Sequence, residues 1–114
     1  MKIKLIQNKA EANHVMHMSG FKANLGGLIS YKDLVDTFGQ PTFSPEDSGD
    51  GKVNYEWVFE YEGSYFSIYD WKTYDEEYTR NEYTNWHIGS HAGAIDTNNF
   101  INVVLDQIRE SLFA

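Results

Sequence analysis

The chain has 114 residues, a formal charge of −8 at pH 7 and 16% aromatic residues, which fits one α+β domain over 1–114 with its own core. It contains no cysteine, so disulfides, thiolate metal sites and thiol nucleophiles are excluded. The few scattered Lys and Arg residues oppose direct nucleic-acid binding, and no stretch is long or apolar enough for a signal peptide or a membrane span, so a cytoplasmic protein is expected.

Residues 2–7 alternate Lys2 and Lys4 with Ile3 and Leu5, the period of a strand. Residues 8–13 are polar and read as a turn. Residues 14–18 and 21–25 read as a second strand interrupted at Gly20, and Gly26-Gly27 permits a sharp change of direction. The first helix is well marked. Ser30 and Asp33 form a capping pair, Leu34, Val35 and Phe38 an apolar stripe, and Gly39 followed by Pro41 a stop. Residues 41–52 hold both prolines and three acidic residues and read as an exposed loop.

A hairpin follows. Glu62-Gly63 suits a two-residue connection, which pairs Tyr61 with Ser64, Phe59 with Phe66, Trp57 with Ile68 and Tyr55 with Asp70. Side chains alternate with period two, so Val53, Trp57, Phe59, Phe66 and Ile68 share the core face. The other face pairs Glu60 with Tyr65, Val58 with Ser67, Glu56 with Tyr69 and Asn54 with Trp71. Asp70 falls on the core side, where a carboxylate must be hydrogen bonded. It is either a polar anchor that fixes the register or the polar base of a ligand pocket. Residues 74–85 are polar and read as a loop over the sheet. Trp86, His87 and Ile88 form a third strand ending at Gly89. A last helix begins near Asp96 or Thr97, where Phe100, Ile101, Val104, Leu105, Ile108 and Leu112 keep helical spacing. The expected fold is a three- to five-stranded, mainly antiparallel sheet with two helices packed on one face.

Reactive side chains form no recognisable frame. His14 and His17, three apart on a strand, would point to opposite faces. His87 and His91 lie at a strand end without an H-E-x-x-H or comparable spacing. Ser90-His91 is not a triad, the 48–52 run lacks phosphate-loop spacing, and the carboxylates cannot be paired from sequence. No catalytic residue, metal or cofactor is therefore expected. The aromatic residues are more informative. Tyr65, Tyr69 and Trp71 on the second hairpin face exceed what a small monomer leaves in water, unless other parts of the chain cover them. With the acidic Asp75, Glu76, Glu77 and Glu82 they make a candidate partner-binding surface, for a homodimer or a complex. A small-ligand alternative uses Trp71 and Trp86 for stacking, with Asp70 and His87 as polar contacts.

Four runs occur in a defined order: Tyr31-Lys-Asp-Leu-Val-Asp-Thr-Phe-Gly-Gln-Pro41, Gly51-Lys-Val-Asn-Tyr-Glu-Trp57, Ile68-Tyr-Asp-Trp-Lys72 and Trp86-His-Ile-Gly89. Together, over residues 26–112, they resemble a group of small bacteriophage proteins of uncharacterised activity. The resemblance implies a phage or mobile-element origin and a bacterial host cytoplasm. Small acidic phage proteins often block host factors. The expectation is thus a non-enzymatic accessory protein that binds and inhibits a host protein, such as an immune or nucleic-acid-handling enzyme. The alternative is a protein that sequesters a nucleotide signal.

Overall fold

The computed structural model describes residues 3–16, 19–25, 29–47, 52–71, 75–81, 85–91, 93–94 and 96–113. Its strands are β1 (Ile3–Leu5), β2 (Gly20–Asn24), β3 (Glu56–Tyr61), β4 (Ser64–Tyr69) and β5 (His87–Ser90). They form one antiparallel sheet in the order β1-β3-β4-β5-β2. The helices are α1 (Lys9–Val15), α2 (Tyr31–Phe38), α3 (Glu76–Asn81) and α4 (Thr97–Leu112). The fold class is α+β, as the sequence predicts.

The β3–β4 hairpin sets the frame. Glu62 and Gly63 both take positive φ, 51° and 78°, the backbone of a tight turn whose twist matches the strands it joins. The ladder then runs Tyr61 to Ser64, Phe59 to Phe66, Trp57 to Ile68 and Glu56 to Tyr69. This is the register that the alternation predicts. Trp57, Phe59, Tyr61, Phe66, Ile68 and Ile88 turn to one face, where they are buried with Leu34, Phe100, Val104 and Ile108 of α2 and α4. Phe100 stacks on Phe66 with ring centres 4.3 Å apart.

Local signals hold the helices in place. Ser30 Oγ accepts from the Asp33 amide at 3.1 Å and the Asp33 carboxylate accepts from the Ser30 amide at 3.0 Å, satisfying two N–H groups that the helix start leaves unpaired. Gly39 ends α2 at φ 97°, and its carbonyl accepts from the buried Trp57 indole at 2.9 Å. The Trp86 indole donates to the Ile29 carbonyl at 3.0 Å. Both core tryptophans are thereby satisfied where an unpaired N–H would be costly.

Five sequence expectations need correction. The 41–52 stretch is not an exposed loop throughout: Pro41 and Thr42 are buried, and Thr42 Oγ1 donates to the Ile6 carbonyl at 2.7 Å and accepts from the Val58 amide at 3.2 Å. Residues 8–13 are not a turn: Asn8 Oδ1 accepts from the Glu11 amide at 2.8 Å and opens α1. His14 belongs to that helix, so the second strand begins only at Gly20; His17 and Met18 lie outside the described residues. The 74–85 stretch contains α3, whose start is capped by Asp75 Oδ1 accepting from the Glu77 and Tyr78 amides. Val53 is not in the core, because it precedes β3 and lines the opposite side of the sheet. The two-helix layer is also incomplete as an account of the fold. α1 crosses the other face, where Ala12 and Ile6 bury Val58.

Candidate binding cavity on the open sheet face

Among the described residues, the second face of the hairpin is only partly covered. Val58 lies under α1, and Tyr65 packs half-buried at the edge of that cluster, its ring 5.4 Å from His91. Beyond α1 the same face presents Glu56 from β3, Ser67 and Tyr69 from β4, and His87 and Gly89 from β5. Their side chains share a face because β4 pairs Tyr69 with both Glu56 and His87. Phe21 of β2, with Val53 and Trp71, completes the rim of a cavity of about 490 Å³.

The walls are aromatic. Tyr69 meets Trp71 nearly perpendicularly (86°, 6.3 Å) and His87 at 5.6 Å, and Phe21 lies 5.1 Å from His87. Phe21 remains 54% exposed and Trp71 42% exposed. The floor is narrow at Gly89. A Cβ there would sit 2.9 Å from Ser67 Oγ and 3.2 Å from Tyr69 Cε1, so a glycine lets both side chains lie over β5.

Two neighbouring carboxylates behave differently. Asp70 is fully buried and saturated. Its Oδ1 accepts from the Asn54 and Tyr55 amides at 2.8 and 2.9 Å, and its Oδ2 accepts from Asn54 Nδ2 and Thr79 Oγ1 at 2.8 and 2.9 Å. It ties the end of the hairpin to α3. Glu56 opens into the cavity instead. Burial, with the Asp70 charge adding to it, pushes its carboxyl up to about 7 against an opposing hydrogen bond from Ser67. At neutral pH this group can donate or accept a proton, and it favours a cationic neighbour. A second cavity of about 410 Å³ shares Glu56, Val53 and Trp71 and adds Lys9, Lys52, Asn13 and Asp47; Lys9 is tied to Asp47 at 2.9 Å.

The sequence-derived sets divide on this geometry. Tyr69 and Trp71 line the cavity, whereas Tyr65 is partly buried against the Ile6, Ala12 and Val58 cluster and is not among the lining residues. Glu76 and Glu77 are exposed on α3 and Asp75 just before it; the helix packs beside α2 and bonds to the core-side Asp70 and Tyr55. Asp75 and Glu77 line a different hollow from Tyr69 and Trp71, and Glu82 lies outside the described residues. The ligand set Asp70, Trp71, Trp86 and His87 is likewise split. Trp71 and His87 line the cavity, Asp70 is spent on structure, and Trp86 is in the core. Sequence reasoning left Glu56, Ser67, Phe21 and Gly89 out of the site. The pairing of Glu56 with Tyr69 was the available signal. Among the described residues, no group of three His, Asp or Glu could hold a metal ion, and no helix is long and apolar enough to cross a membrane. No protein-family profile, curated protein or solved structure matches this chain.

Proposed function

We propose that this chain is a non-enzymatic binding protein that takes a small ligand into the cavity on the open face of its sheet. The observation that carries this reading is the pairing of aromatic walls with one partly buried carboxylate, Glu56, in a space of about 490 Å³. Small-molecule sites are typically concave, roughly 300–1,000 Å³, mainly apolar, and fitted with a few polar groups. Tyr69 and Trp71 supply rigid faces for stacking. Native mass spectrometry of protein purified from its own cells, followed by the Tyr69→Ala/Trp71→Ala double variant, tests this. A bound small molecule that the variant no longer retains supports it; an apo spectrum together with no thermal shift across nucleotides and amines opposes it.

The exposure of Phe21 and Trp71 at the rim favours a second reading, capture and inhibition of a host protein by the same face. In that case the rim rings would be the anchors, as buried aromatics are at many interfaces. Affinity purification from host lysate separates the two: a stoichiometric protein partner lost on Trp71→Ala supports this reading, and its absence leaves the small ligand.

A further inference from the structure

We propose that the cavity is a receptor for a planar organic cation, a guanidinium or amidinium group stacked among Phe21, Tyr69, Trp71 and His87 and donating two hydrogen bonds to Glu56. This rests on the reading of the cavity as the binding site. The argument begins with what Glu56 lacks. Asp70 beside it has four hydrogen bonds from its own chain, whereas Glu56 has the Ser67 hydroxyl and, among the described residues, no ion pair. A carboxylate partly withdrawn from water, as Glu56 is, gains when a cation or further donors reach it. A flat cation with two parallel N–H groups matches its two oxygens.

The walls suit the same group. Aromatic faces attract cations through their quadrupoles, more strongly where water is excluded, and the perpendicular rings of Tyr69 and Trp71 offer a face and an edge at one corner. Electrostatics disfavours the alternatives. The chain carries −8 overall, so an anion would meet repulsion from Glu56 and Asp70. Lys9 and Lys52 line the adjoining cavity, and among the described residues no lysine lines this one. A neutral ring would stack but would leave the carboxylate uncompensated.

The groups facing Glu56 are Asp70, Tyr69 and His87, with Lys9, Lys52 and Asp47 across the adjoining cavity. A cation selects the ionised carboxylate, so affinity should rise roughly tenfold between about pH 6 and pH 8 as Glu56 loses its proton.

Benzamidine and its neutral isostere benzamide provide the test, titrated against the intact protein while the Trp71 indole N–H is followed by NMR. The expected result is binding of benzamidinium at least about tenfold tighter than benzamide, with the preference falling to near unity in Glu56→Gln. Equal binding of the two probes to the wild-type protein overturns the cation assignment but leaves the cavity as a binding site. No perturbation by either overturns both. A second arm compares agmatine with a capped Gly-Arg-Gly peptide. Tighter binding of the peptide supports the assignment with a partner's arginine as the source, tighter agmatine supports it with a free metabolite, and binding of neither overturns the guanidinium form.

Discussion

The two faces of one hairpin use alternate residues of the same twelve positions, yet they have come to opposite ends. On one, Trp57, Phe59, Phe66 and Ile68 are closed over by two helices. On the other, a short helix shelters Val58 and leaves Glu56, Tyr69 and their neighbours lining a hollow. The two acids at the hairpin end repeat the contrast: Asp70 is saturated by its own chain and Glu56 is not. The comparison teaches that exposure of a ring or burial of an acid says little alone. What marks a site is a polar group with few partners of its own beside surface that the described residues leave uncovered.

Mutations can break this comparison. On the closed face Phe100→Ala removes the ring stacked on Phe66, and should cost about 3–5 kcal/mol in urea unfolding; a loss below about 1 kcal/mol would mean the closed face is not the core. Asp70→Ala strands the Asn54 and Tyr55 amides and the Thr79 hydroxyl, at a cost of about 3 kcal/mol, while leaving the cavity rings in place.

Glu56 sharpens the contrast through pH. The folded protein holds this proton more tightly than the unfolded chain, whose carboxyl titrates near 4.5. Unfolding between about 4.5 and 7 therefore releases a proton, and raising the pH through that window destabilises the fold. A shift of that size is worth on the order of 3 kcal/mol. Urea midpoints from about pH 5 to pH 8 should fall for the wild-type protein and show that component removed in Glu56→Gln. The smallest effect belongs to the rim. Trp71→Ala should change stability by no more than about 1 kcal/mol while abolishing ligand retention. A large loss of stability would make Trp71 a core residue instead.

Much of the closed face was legible. Alternation with period two, a Glu-Gly turn and a helix framed by Ser30 and Gly39 are strong local signals, and each survives in three dimensions. The missed elements were weak ones. α1 buries only Ala12, so it has little apolar periodicity, and its readable mark was Asn8 with Glu11 three residues on. α3 has six residues and buries only Thr79, and its order comes from Asp75 and from the Thr79 bond to Asp70. The cavity was harder still. It needs Phe21 beside His87, and the pairing of β2 with β5 joins segments more than sixty residues apart, which no local pattern encodes.

The strand order carries one more consequence. The strands made first, β1 and β2, occupy the two outer edges of the sheet and pair with strands made much later: Gly20 faces Ser90. During synthesis β2 thus has no strand neighbour to hydrogen bond until β5 has been made. A product that stops before His87 would leave the ribosome with its second strand unpaired and one side of the Phe21 hollow never assembled.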